Sequence, residues 1–122
     1  MNWIAVGALL LAAAVLVGAF GAHALRDRLD AYATGIYERA VFYHTVHAAG
    51  VLAIGIAIGA RVVAVPLASL AAWLVLAGIV IFSGSLYALA LTGMRRLGAV
   101  TPLGGLAFVA GWIALAVAAV RG

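Results

Sequence analysis

The sequence predicts an all-α integral membrane protein, four transmembrane helices in a compact bundle with short connections, and two observations predict it. The first is where the charges fall. Seven arginines and three acids occupy only four places: Arg26, Asp27, Arg28, Asp30, Glu38 and Arg39 together, then Arg61, the pair Arg95 and Arg96, and Arg121. The uncharged stretches between them run from 1 to 25, 40 to 60, 62 to 94 and 97 to 120. A helix rising ~1.5 Å per residue crosses a hydrocarbon core of roughly 30 Å in about 20 apolar residues, and all four stretches are long enough. The second observation is composition. Hydrophobic residues make up 69% of the chain and charged ones 8%, against an apolar share of about half in a soluble domain. Four spans use most of the 122 residues, so a single membrane domain is expected over 1–122.

The first helix is expected over about 3–25. Ala22-His23-Ala24 matches a small-x-small cleavage pattern, but no basic segment precedes the apolar run, which exceeds the about 7–15 residues of a signal peptide core. It reads as a retained span. Ala14, Gly18 and Ala22 recur at four-residue spacing and offer a smooth face for close helix packing. A polar connection follows from Arg26 to Glu38. In it Leu29, Tyr32, Ala33, Ile36 and Tyr37 recur at helical spacing, so it reads either as an amphipathic surface helix or, given Gly35, as a frayed loop.

The second helix is expected over about 36–60, with Gly55 and Gly59 suited to close packing. Pro66 belongs in the first turn of the third helix, over about 66–91, where its missing N–H does no harm. That helix is longer than the core and should tilt or protrude. Thr101-Pro102 reads as an N-cap followed by proline at the first helical position, opening a fourth helix over about 101–120.

Arginine counts orient the bundle. Arg26, Arg28, Arg39, Arg95 and Arg96 belong to the first and third connections, and only Arg61 and Arg121 lie at the opposite end. The positive-inside rule then puts those connections in the cytoplasm and both termini outside, in a multi-pass protein of the cell inner (plasma) membrane. Trp3, Trp73 and Trp112 fall in the outer half, and Tyr32, Tyr37, Tyr43 and Tyr87 in the inner half. The same scattered arginines argue against nucleic acid as a partner, because they form no basic stripe.

Most polar side chains that enter the spans do so near the inner surface. His44 and His47 lie about 7 and 12 Å along the second helix from Arg39, and Tyr87 about 12 Å back from Arg95. Ser83 and Ser85 reach slightly deeper, His23 stands near the inner end of the first helix, and Thr101 begins the fourth. His23, Tyr43, His44, His47, Ser83, Ser85, Tyr87 and Thr101 are therefore the candidate polar-cluster or ligand-binding residues. Polar groups are costly in lipid, so His47 should face the bundle and find a polar partner on the first or third helix. His44 and His47 share a face by i,i+3 spacing, and Tyr43 with His47 a neighbouring one by i,i+4.

Two readings stay open: a site for a quinone, lipid, small solute or proton, or hydrogen bonds that only hold helices together. Catalytic residues, metal ligands and cofactors are not expected. The chain has no cysteine, the histidine spacing matches no metal or haem motif, and the three acids all belong to the surface connection. Phe82-Ser83-Gly84-Ser85-Leu86 is not a nucleophile elbow, and Gly104-Gly105 is not a phosphate loop.

Four segments carry a resemblance: GAFGAHAL at 18–25, YHTVHA at 43–48, FSGSLYALALTG at 82–93 and LGAVTPLGGLAFVAGW at 97–112. In them the chain resembles the YgdD-like small membrane proteins, the domain-of-unknown-function family 423, which includes a small mitochondrial transmembrane protein of animals. The resemblance implies four membrane helices and the inner polar residues. It also implies that glutamine is common where His44 stands, so that a role needing both His44 and His47 is not a family requirement. It carries no activity. The function expected is that of a non-enzymatic packing or accessory component that associates with copies of itself or with a larger membrane complex; the alternative is a small-ligand binder or transporter using the inner cluster.

Overall fold

The computed structural model describes all 122 residues and contains helices and no strands. Four helices are long and apolar enough to cross a membrane. We number them α1 (Trp3–His23), α2 (Ala31–Gly59), α3 (Val65–Thr92) and α4 (Thr101–Arg121), the last preceded by a 3₁₀ turn at Arg95–Ala99. Each packs chiefly on its neighbours in sequence, with α2 holding α1 on one side and α3 on the other. Trp3 against Trp73, at 5.0 Å between ring centroids, ties the start of α1 to α3. The Ala64 N–H donates to the Ala118 carbonyl at 2.8 Å, so the α2–α3 link and the end of α4 share one end of the bundle.

Asn2 caps α1 by accepting the Ala5 N–H through Oδ1 at 3.0 Å. The helix ends at His23 instead of continuing to Leu25, and Leu25 instead tucks its side chain into a small core with Ile36, Tyr37 and Ala40. The face of α1 that meets α2 carries Trp3, Gly7, Ala14 and Gly21, with the Leu10 and Val17 carbonyls between them. These positions step by three and four residues, the repeat of a left-handed helix pair. Strict four-residue spacing drifts off such a seam, which is why Ala22 is exposed while Ala14 is buried. At Gly7 an added Cβ would lie 2.5 Å from the Leu52 nitrogen, and at Gly55 2.7 Å from the Ile4 nitrogen, so both glycines set how closely the backbones approach. Gly59 meets nothing within 4 Å and has no part in that contact.

Of the segment expected as a separate surface helix or loop, Arg26 to Asp30 form a turn and Ala31 to Glu38 are the first two turns of α2. Asp30 is the N-cap, with Oδ1 accepting the Ala33 N–H at 2.7 Å. This cap starts the helix five residues ahead of Ile36 and fixes the register that buries Ile36 and Tyr37. Gly35 is exposed on the outer side, where it costs helix propensity and nothing in packing. At the other end α2 closes in a Schellman motif: Val62 N–H to Ala57 O at 3.3 Å and Arg61 N–H to Ile58 O at 3.1 Å. Its left-handed position, usually glycine, is held by Arg61 at φ 58°.

Pro66 lies in the first turn of α3. Over Ile79–Ser83 that helix widens into a π turn, a feature with no counterpart in the sequence pattern. Two close contacts with α4 lie here: the Phe108 ring lies over Gly78 just before the turn, and Gly104 abuts the Phe82 backbone within it, where an added Cβ would lie 2.8 Å from Cα. Gly93, at φ 72°, ends α3. Thr101 is not the N-cap of α4. Val100 holds that position without a side-chain bond, because the 3₁₀ turn feeds directly into the helix and the Thr101 hydroxyl is engaged elsewhere.

Candidate functional site

α2 is the most buried of the four helices, and its side chains organise the polar interior. Tyr37 and His44 are seven residues apart, two helical turns, and so share a face. The Tyr37 hydroxyl donates to the Val17 carbonyl at 2.5 Å. His44 Nε2 lies 2.9 Å from the Leu10 carbonyl and Nδ1 lies 2.8 Å from the Tyr87 hydroxyl. A carbonyl only accepts, so Nε2 carries the proton and donates, and the neutral ring then accepts the Tyr87 hydroxyl hydrogen at Nδ1. One buried imidazole thereby joins α1, α2 and α3. The Tyr37 and Tyr87 rings meet edge to face at 5.4 Å beneath it.

Two further contacts hold α3. Ser83, fully buried at the end of the π turn, donates to the Ala40 carbonyl of α2 at 2.9 Å. Ser85 donates to the Phe82 carbonyl at 2.9 Å, and since its hydroxyl has one hydrogen, the 2.6 Å contact with Thr101 Oγ1 is donated by Thr101. This bond fastens the start of α4 to α3.

His47 behaves differently from His44. Its Nδ1–H donates to the Tyr43 carbonyl of its own helix at 2.8 Å, and its ring stacks on Phe108 of α4 with centroids 3.6 Å apart and planes 15° apart. Trp112 lies 5.7 Å away and Tyr43 5.9 Å. The Tyr43 ring belongs to the same aromatic group through Phe82 at 4.4 Å. The expectation that His47 meets polar atoms of the first or third helix is therefore not met. Residues three apart on a helix diverge by about 60°, and here that angle sends His44 towards α1 and α3 and His47 towards α4. His23 stands exposed at the end of α1, away from both groups. Trp112, partly exposed, packs against His47 and Gly50, and Trp3 is buried at a helix contact.

Every fully buried side-chain polar atom has a hydrogen-bond partner within the chain. Two surface cavities are present, of about 190 and 340 Å³, and neither is lined by His44, His47, Ser83, Ser85 or Tyr87. No three His, Asp or Glu side chains converge to hold a metal ion. The hydrogen bonds tie the helices to one another, and Tyr37 alone of these residues also lines a cavity, the smaller one, with Arg26, Thr34 and Glu38. Sequence reasoning missed Tyr37, Phe108 and Trp112 as its members. For Tyr37 the signal was its two-turn offset from His44.

Comparison with known proteins decides the family. The model of the protein of unknown function family DUF423 matches residues 17–105. The chain belongs to the DUF423 family. Its matched region takes in the ends of all four helices nearest the arginine-rich connections and the whole hydrogen-bonded interior except Leu10. Among DUF423 relatives, a UPF0382 membrane protein of Staphylococcus epidermidis is 46% identical over 119 residues, covering 98% of this chain and 95% of its own. The UPF0382 membrane protein YwdK of Bacillus subtilis is 41% identical over 119 residues, with 98% and 96% covered. The UPF0382 membrane protein SAB0533 of Staphylococcus aureus is 42% identical over 116 residues, with 95% and 93% covered. No solved structure matches. The chain is thus a four-helix membrane protein of a family without an established activity.

Proposed function

We propose that this protein is a non-enzymatic component of the cell inner membrane that works by association, with copies of itself or as an accessory to a larger membrane complex. The observation that carries this reading is the closed interior. His44, Ser83, Ser85, Tyr87 and Thr101 spend their hydrogen-bonding capacity on one another and on main-chain carbonyls, and no cavity reaches them. A binder or transporter of small solutes needs a concave site with convergent free polar groups. The outward surfaces, by contrast, are broad and apolar: Leu9, Val15 and Leu16 on α1 and Leu103, Leu106 and Ile113 on α4 are all more than half exposed. In the bilayer these surfaces meet lipid or another helix.

Both termini face outward in this reading. The arginine excess at the Asp30 and Arg96 connections supports it, since those two connections lie at the opposite end from Arg61 and Arg121. Native mass spectrometry of gently extracted protein is the test. Multimers or a complex with other membrane proteins, unaffected by His47→Ala, are expected. A monomer that retains a small ligand, lost on His47→Ala, would overturn the proposal.

A further inference from the structure

The larger cavity lies apart from the polar interior, at the arginine-rich end, between the start of α2 and the end of α3. It has a volume of about 340 Å³, within the roughly 300–1,000 Å³ of a small-molecule site. Arg28 lines it from the α1–α2 connection and Arg95 from the turn before α4, so two guanidinium groups from separate segments border one hollow. The Arg95 guanidinium carbon sits 5.2 Å from the centroid of the Tyr32 ring, which also lines the cavity. Stacking of this kind holds an arginine head in place while leaving its N–H edge free to bond. The single acid in the lining, Asp30, turns one carboxylate oxygen to the Ala33 N–H as the cap of α2. Two arginines against one aspartate leave the lining with net positive charge. The rest of the wall is mainly apolar and includes Leu29, the exposed Leu91 and the buried Leu89.

We propose that this cavity is a binding site for an anionic phospholipid, with the phosphate between Arg28 and Arg95 and the upper acyl chain along Leu89 and Leu91. Guanidinium groups bind phosphate oxygens through paired, charge-assisted hydrogen bonds. Basic hollows between transmembrane helices at this depth suit anionic headgroups. A free phosphate would use the two arginines and leave the apolar wall unoccupied. A zwitterionic lipid would bring an ammonium group towards the same two cations.

Lipid titration followed by native mass spectrometry of the full-length protein tests the site. Phosphatidylglycerol is expected to form a saturable one-to-one adduct, and phosphatidylcholine is not. Arg28→Gln with Arg95→Gln should lower the phosphatidylglycerol occupancy at fixed lipid on the order of tenfold, two surface arginines each contributing to headgroup attraction. Arg39→Gln with Arg96→Gln removes the same charge from the same end of the molecule but outside the cavity, and should leave the adduct within about twofold. Tyr32→Leu should weaken it, because Arg95 loses its seat. Equal loss in the two double variants would show diffuse attraction of surrounding lipid and overturn the proposal. Displacement of the adduct by millimolar inorganic phosphate would also overturn it, since the acyl contact would then contribute nothing. Circular dichroism and size-exclusion profiles of all variants keep misfolding apart from loss of binding, because every substituted side chain is exposed.

Discussion

The Tyr87 hydroxyl lies 2.8 Å from His44 Nδ1, a bond between α3 and α2 that forms on the same ring that holds α1 through Leu10. Both of these bonds lie between partly buried groups, and losing one strands the other partner.

His44→Leu is therefore expected to destabilise the bundle by about 1–3 kcal/mol, the cost of leaving a buried hydroxyl unpaired. His44→Gln should cost less, because an amide can donate to the Leu10 carbonyl and accept from Tyr87. In a double-mutant cycle with Tyr87→Phe the coupling should be about 0.6 kcal/mol, and at most about 1.7 kcal/mol, as is usual for hydrogen bonds between membrane helices. Reversible unfolding in mixed micelles measures all three; a leucine variant as stable as wild type would remove the structural role assigned to His44.

Gly55 and Gly59 look alike in the sequence and should respond oppositely to alanine. A methyl at Gly55 meets the α1 backbone at 2.7 Å, so Gly55→Ala is expected to cost about 1–3 kcal/mol through forced separation of α1 and α2. Gly59→Ala meets open space and should be neutral or gain up to about 1 kcal/mol of helix propensity. Melting temperatures of the two variants in the same detergent decide the point.

Topology can be read from two exposed positions at opposite ends of the bundle, Ala31 and Val62. With Ala31→Cys and Val62→Cys made separately in this cysteine-free chain, an impermeant thiol reagent applied to intact cells should label Val62→Cys and spare Ala31→Cys. The reverse pattern would invert the bundle.

Four short helices invite comparison with proton-driven cation exporters, and the acids argue against it. Such exchange needs a titratable carboxylate within the membrane, whereas Asp27, Asp30 and Glu38 are all exposed near the arginine-rich end. Reconstituted protein should take up no lipophilic cation in response to a proton gradient beyond empty vesicles. Uptake abolished by Glu38→Gln would contradict this.

Charge spacing alone located the four spans, because arginines and acids are confined to their ends. Local chemistry did less well where two devices competed. Gly35 argued for a break, yet the Asp30 cap five residues earlier starts the helix that runs through it. The π turn at Ile79–Ser83 left no trace in residue pattern; Gly104 and Phe108 of α4 approach the chain there, a long-range contact that local sequence does not carry. In the interior, depth along the helices grouped the right residues from three spans but not their azimuth. His44 and His47 reach different neighbours, and His23, similar in chemistry, ends up outside. Three of the five acceptors of side-chain hydrogen bonds between helices are main-chain carbonyls, which no reading of side chains could single out: Leu10, Val17 and Ala40.

That choice of acceptor has an evolutionary consequence. Tyr37 and His44 grip α1 at the Val17 and Leu10 carbonyls, seven residues apart on each helix, and a carbonyl is present whatever side chain its residue carries. The instruction that seats α1 is therefore written in α2. Substitutions on the outer face of α1 leave the grip intact provided Gly7 and Gly21 stay small, so that face is free to diverge towards new neighbours while the bundle beneath it stays the same.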